Sequence, residues 1–262
     1  MPAVFECEFV VRQYECDAFG QLQPVNYVRW MQEAALGATA SVGWTMERYA
    51  ATGTQWLIRE TQVDFLKPVG FGERVRIRTW IDDFRKVRSY RRYEFRRGEA
   101  LIARAVTDWV YIDLASGKPC AIPPEMINDF RPEGSPPTTP RTAFAAPVVD
   151  TPLYSVERRV AWSEVDVQGH ANNAAYLGYV DDAFQQGAWG AAAHGLTRPA
   201  AQVARVHLQY LLPARFNDRL RVDVFDAAPS AAALHQHYQV RRLADNALIA
   251  QANADYTLTD SA

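Results

Sequence analysis

The chain has 262 residues, enough for one large domain or two small ones with a sizeable core. Its 48% hydrophobic and 22% charged residues are ordinary for a globular protein, and a formal net charge of -2 gives no electrostatic case for nucleic acid or an anionic membrane. No apolar run approaches the roughly 20 residues of a membrane span, the acidic N-terminus does not read as a signal peptide, and Cys7, Cys16 and Cys120 form no CxxC pair, so a cytoplasmic protein with free thiols is expected.

In chain order, "ECEFVVRQYE" (6–15) reads as a strand and is followed by the polar turn "DAFGQLQPVNY" (17–27). A helix is predicted over about 24 to 42, because Tyr27, Trp30, Met31, Ala34, Ala35 and Ala38 recur at helical spacing and Pro24 suits a first turn. Four strand-like runs come next. "ERVRIRTWI" (73–81) alternates polar and apolar residues as a half-buried antiparallel strand does, and "VRSYRRYEFRRGEALIARAVTDWVYID" (87–113) reads as a hairpin turning at Arg97–Glu99. Residues 117–152 then hold nine of the chain's 15 prolines, which excludes a long helix or a central strand. We read a linker that packs along the surface, partly extended.

Beyond it the order repeats. "YSVERRVAWSE" (154–164) is a strand, "DVQGHANNAAY" (166–176) is a polar turn, and a helix over about 173 to 190 carries Tyr176, Leu177, Val180, Ala183, Phe184 and Trp189, with Asn172 or Asn173 as its cap. At an offset of 149, Glu15, Asp17, Gly20 and Tyr27 face Glu164, Asp166, Gly169 and Tyr176; further on "ALIARA" (100–105) faces "ALIAQA" (247–252), and Pro68 and Phe71 face Pro213 and Phe216. Two long copies indicate a duplicated α+β domain. The boundaries read as 1–118 for the first, 119–152 for the Pro-rich linker and 153–262 for the second.

A strand, the run D-x-x-G-H-x-N-N-x-x-Y from Asp166 to Tyr176, an amphipathic helix and four antiparallel strands resemble the hotdog-fold acyl thioesterases. Two such domains in one chain resemble the tandem acyl-carrier-protein thioesterases, and the lone Asp of the motif resembles the 4-hydroxybenzoyl-CoA thioesterase class. The resemblance implies a pair of hotdog domains, each an antiparallel sheet wrapped around a long helix, packed edge to edge as a pseudo-dimer. It implies hydrolysis of acyl-CoA or acyl-carrier-protein thioesters in fatty acid metabolism, without cofactor or metal, by a chain that could dimerise further. The plant enzymes carry Asp-x-Asn-x-His and a downstream Glu; here Gln168 replaces that Asn, and Pro213 or Ala214 stands in the place of the Glu.

Thioester hydrolysis needs a base or nucleophile beside the carbonyl carbon and donors for the oxyanion. Asp166 offers the carboxylate, His170 a hydrogen bond or proton shuttle, and Asn172 and Asn173 can cap the helix, position Asp166 or orient water. Gly169 and Gln168 complete the turn on the substrate side. The seventh position after the Asp presents the oxyanion amide in the class resembled: it is Asn173 in the second copy but Pro24, with no N–H, in the first. Gln21 replaces His170 there, so the second copy is expected to work and the first to act as scaffold. For Asp17, helix capping stands beside the catalytic role. Glu33 and Asp182 occupy matching helix positions and are read as catalytic carboxylates or as solvated pairing groups. The basic run 85–97 reads mainly as a solvated face, with Arg91 and Arg92 offered to the phosphates of coenzyme A or the acidic helices of acyl carrier protein. The histidines form no ligand pattern. The alternative is a non-catalytic acyl-CoA or acyl-carrier-protein binding module; a hydratase lacks its paired Asp and His.

Overall fold

The computed structural model describes residues 3–131, 142–149, 151–189, 201–226 and 233–258. Residue 190 at the end of the second predicted helix, His194 and the middle of the Pro-rich segment lie outside these ranges. The described residues fall into two compact units: residues up to 16 with 29–143, and residues 17–28 with those from 144 onward.

In the first, β1 (Phe5–Val10), β3 (Arg74–Arg85), β4 (Arg88–Arg97), β5 (Ala100–Asp113) and β2 (Thr54–Phe65) pair antiparallel in that order. In the second, β6 (Tyr154–Arg159), β8 (Arg219–Asp226), β9 (Ala233–Arg242), β10 (Leu248–Leu258) and β7 (Ala201–Tyr210) do the same. The two orders match strand for strand. Alternation along β3 buries Val75, Ile77, Thr79 and Ile81 and leaves Arg74 and Arg76 outside, so one sheet face is apolar.

Each apolar face receives one helix. In α1 (Pro24–Ser41), Trp30, Met31, Ala34, Ala35 and Ala38 are buried in the first unit, while Tyr27 and Val28 of its opening turns are buried and belong to the second; α4 (Asn173–Trp189) buries Ala174, Ala175, Tyr176, Leu177, Tyr179, Val180, Ala183 and Phe184. Burial on so much of the circumference is what a curled sheet imposes on the helix it holds. Glycine permits the closest approach. A Cβ on Gly37 would lie 2.6 Å from Phe5 Cζ, and one on Gly187 would overlap the Tyr154 hydroxyl, which donates to the Ala183 carbonyl at 3.1 Å. Both repeats thus seat the first aromatic of the unit's edge strand on a helix glycine.

Two short helices escape the periodicity. Helix α2 (Met46–Thr52) starts at Thr45, whose Oγ1 accepts the Arg48 amide at 3.4 Å, and ends at Gly53, φ 62°. Helix α3 (Pro124–Phe130) arises inside the Pro-rich segment, with Pro124 at its start, where a missing N–H costs nothing. Its Met126 and Phe130 are buried with Trp44, Tyr49, Ile81, Tyr111 and Ile122. The opening of that segment therefore belongs to a core rather than running over the surface.

Candidate active site

The Asp166 turn is held by its own backbone. Gly169 donates to the Asp166 carbonyl at 2.9 Å with φ 77°, and the Asp166 amide donates to the His170 carbonyl at 3.1 Å. The carboxylate is anchored at both oxygens: Oδ1 accepts the Gln168 amide at 2.9 Å and Oδ2 accepts Asn172 Nδ2 at 3.1 Å. Asn172 also caps α4, its Oδ1 accepting the Ala174 amide at 2.9 Å. Asn173 is the first helical residue, and among the described residues its N–H meets no acceptor. The structure thus brings Asp166, Gln168, Gly169, Asn172 and Asn173 together. His170 stands half-buried beside them, its Nδ1 3.3 Å from the Ala171 carbonyl.

A second contact ties the turn to the sheet. Ala171 donates to the Ala214 carbonyl at 2.8 Å, and the Ala214 amide donates to the Tyr176 hydroxyl at 3.0 Å. Tyr176 is buried, which pushes its phenol up to about 12 and keeps it neutral. Ala214 touches the turn where the resemblance would place a carboxylate, and it supplies backbone only.

The Asp17 turn is drawn to the same plan with a different carboxylate. Gly20 has φ 76°, but both bonds to the carboxylate, from the Phe19 amide at 2.8 Å and the Gln21 amide at 2.9 Å, fall on Oδ1. Among the described residues Oδ2 accepts none. Residues 17–28 pack within the second unit, and there Asp17 acts on a carboxylate that the sequence reading missed, Asp181 of α4. Burial raises the Asp181 carboxyl to about 6; the Gln185 amide, donating at 3.3 Å, opposes the rise, and the charges of Asp182 and Asp17 add to it. Gln185 Oε1 is buried without a partner among the described residues. Asp182, the helix acid singled out from the repeat alignment, is instead exposed and pairs with Arg158 at 2.8 Å; Glu33 is exposed too. The signal that could have separated Asp181 from Asp182 is one position of helical phase, about 100° around the axis.

The basic strand needs a correction. Arg91 is 4% exposed and points inward between Ser89 and Tyr93, so it does not lie on the solvated face offered to phosphates. A bulge in the β3–β4 pairing between Ile81 and Asp83 accompanies this stretch. Arg92 pairs with Asp82 at 2.9 Å, Arg96 with Glu94 at 3.1 Å, Arg97 with Glu73 at 2.7 Å and Arg88 with Asp108, so these charges are balanced on the protein itself. Among the described residues no three His, Cys, Asp or Glu side chains are grouped to hold a metal, and no helix is long and apolar enough to cross a membrane.

Comparisons with known proteins bear on the family and the fold. The chloroplastic palmitoyl-acyl carrier protein thioesterase of Arabidopsis thaliana is 25% identical over 191 residues, 68% of this chain and 46% of that protein. The putative acyl-CoA thioesterase YneP of Bacillus subtilis is 24% identical over 113 residues, 43% of this chain and 82% of that one. The chain thus spans about half the length of the plant relatives it matches. Among solved structures, the putative oleoyl thioesterase from Lactobacillus plantarum has a TM-score of 0.84 at 14% identity, covering 99% of this chain and 98% of that one. The 12:0-ACP thioesterase from Umbellularia californica has a TM-score of 0.79 at 19% identity, covering 98% and 94%. At these identities the structures establish the fold, two tandem hotdog domains. The pattern of the Thioesterase-like superfamily matches residues 11–130 and 160–262, and the chain belongs to that superfamily.

Proposed function

We propose that the chain hydrolyses acyl thioesters, carried on coenzyme A or on acyl carrier protein, to the free acid and thiol, and that the reaction runs at the Asp166 turn. One observation carries the reading: a carboxylate fixed by Gln168 and Asn172 stands at the start of a helix whose Asn173 amide has no acceptor among the described residues. In this reading Asp166 activates water or attacks the carbonyl carbon itself, and the Asn173 N–H, aided by the helix dipole, receives the oxyanion. His170 polarises the carbonyl or passes the proton to the departing thiolate. Three cysteines outside any disulfide, Cys7, Cys16 and Cys120, fit a reducing, cytoplasmic setting.

The test is thiol release from a panel of acyl-CoAs and acyl-carrier-proteins, followed with a chromogenic disulfide. Asp166→Asn is expected to lower kcat by about 100-fold or more with folding intact, and His170→Ala by about 10-fold. Saturable binding without thiol release would sink the enzyme reading and leave the binding module. A second reading is favoured by Asp181, whose raised carboxyl beside Asp17 has the character of an acid–base site. It makes the Asp17 turn the reaction centre, and Asp17→Asn measured beside Asp166→Asn decides between them.

A further inference from the structure

The sheet of the second unit is covered on its outer face as well. Val222 and Val224 of β8 and Val240 of β9 are buried on the helix side, so Arg221, Asp223 and Phe225, with Gln239 and Arg241, point the other way. An open face would expose them, yet Asp223 is 3% exposed and Phe225 6%. The end of the Pro-rich segment lies over this face: Asn253 Nδ2 donates to the Ala145 carbonyl at 2.8 Å, and the Phe144 ring meets His207 edge-on at 5.1 Å. A cavity of about 440 Å³ remains there, lined by Val149 and Pro152 of the segment and by Arg221, Asp223, Phe225 and Arg241 of the sheet. That volume is within the range of small-molecule sites.

The charges in the cavity are unevenly matched. Arg221 and Arg241 stand directly opposite each other in the β8–β9 register, an arrangement of like charges that costs stability. Asp223 is committed to the first: its Oδ1 accepts Arg221 Nε at 2.7 Å and Ser155 Oγ at 2.6 Å, and its Oδ2 accepts Arg221 Nη2 at 3.0 Å. Arg241 has neutral acceptors, Gln239 Oε1 at 2.8 Å and the Asn246 carbonyl at 3.1 Å, and among the described residues no carboxylate pairs with it. The matching strands of the first unit differ at this point. Arg76 stands opposite Arg96 in the same way, but Glu94, in the place of Gln239, pairs with Arg96 at 3.1 Å. A guanidinium has five N–H groups, so both cavity arginines keep donors uncommitted.

We propose that this cavity binds an organic phosphate ester, its phosphate oxygens between Arg221 and Arg241 and an apolar body against Val149, Pro152 and Phe225. Two facing forks suit a phosphate, which offers more acceptor oxygens than a carboxylate and relieves the repulsion between the guanidiniums. The apolar side chains of the wall favour an ester over the inorganic ion. The cavity lies on the face of the sheet away from α4, so the site does not rest on the reaction proposed above.

The test uses the whole chain and no thioester. Phenyl phosphate, inorganic phosphate and benzoate are titrated calorimetrically at neutral pH into the wild type, Arg241→Gln and Arg76→Gln, the last removing the same charge from the matching place in the first unit. Phenyl phosphate should bind the wild type saturably at millimolar concentration or below, and inorganic phosphate and benzoate at least about 10-fold more weakly. Arg241→Gln should weaken phenyl phosphate binding by about 10-fold or more, and Arg76→Gln should leave it unchanged. No saturable heat from phenyl phosphate in the wild type would overturn the site, and that arm needs no variant to fold. Equal affinity for inorganic phosphate would overturn the apolar body, and equal affinity for benzoate the phosphate. Wild-type affinity in Arg241→Gln, or the same weakening in Arg76→Gln, would overturn the placement in this cavity.

Discussion

Asp181 is a carboxyl whose ionisation the fold opposes, and that has a measurable sign. Its folded-state carboxyl titrates near 6 against an ordinary 3.8, so between these values the folded chain holds a proton that the unfolded chain has released. Stability from this group therefore falls as pH rises through that window and is recovered on acidification. Because Asp181 is half-buried and screened, the penalty at neutral pH is about 1 to 2 kcal/mol. Asp181→Asn should raise Tm at pH 7.5, with the difference from wild type vanishing near pH 4; a variant less stable than wild type at pH 7.5 would contradict the cause assigned to the shift. If the same variant also loses thiol release, stability has been traded for function at that position. At this scale the sequence was legible for the turn residues, whose spacing fixes their backbone bonds. It was not legible for Asp181 or Arg91, because one position of helical phase and the direction of one strand residue depend on packing that no local pattern records.

At the scale of elements, the helices and the strand runs of each repeat could be read because burial on one sheet face and along one helix imposes periods of 2 and 3.6. Helices α2 and α3 are too short to show a period; what holds them is Trp44, Tyr49, Met126 and Phe130 packed together, a contact spanning more than 80 residues of sequence. The glycine seats give a sharper test of element packing. Gly37→Ala would push a methyl into the Phe5 ring, and Gly187→Ala into the Tyr154 hydroxyl. Each should cost about 1 to 3 kcal/mol, as overpacking does, despite alanine's better helix propensity. Gly178→Ala is the control: its Cβ would meet only Val25 Cγ2 at 3.8 Å, an ordinary contact, so the variant should be neutral or more stable. Urea unfolding midpoints of the three variants give the comparison, and a Gly37→Ala midpoint at or above wild type would refute the close seat.

For the molecule as a whole, duplication has left two turns of one design with different chemistry. The Asp166 carboxylate is bound at both oxygens and sits before a helix that opens with the Asn173 N–H; the Asp17 carboxylate is bound at one oxygen and precedes Pro24, which has no N–H to give. An oxyanion donor is worth about 3 to 4 kcal/mol in the transition state, so its loss alone slows a site by roughly 100-fold or more. Gln21 in place of His170 removes a proton carrier as well. Against this, Asp17 keeps a carboxylate oxygen that accepts no bond among the described residues and has Asp181, partly protonated near pH 6, as its electrostatic neighbour. The arithmetic favours Asp166, because a missing oxyanion donor acts on the transition state directly while a nearby acid assists only the proton transfers. Asp17→Asn should therefore retain most of the turnover, and Asp166→Asn should lose about 100-fold or more, when both are assayed on one acyl-CoA at matched folded fraction. Asp17→Asn keeps an oxygen that can accept the Phe19 and Gln21 amides but loses the charge that strengthens those bonds, so a small loss of stability is expected, and a Tm lowered without a matching fall in kcat is the signature of a turn that has become scaffold. The opposite result, a dead Asp17→Asn and an active Asp166→Asn, would move the reaction to the pair Asp17 and Asp181.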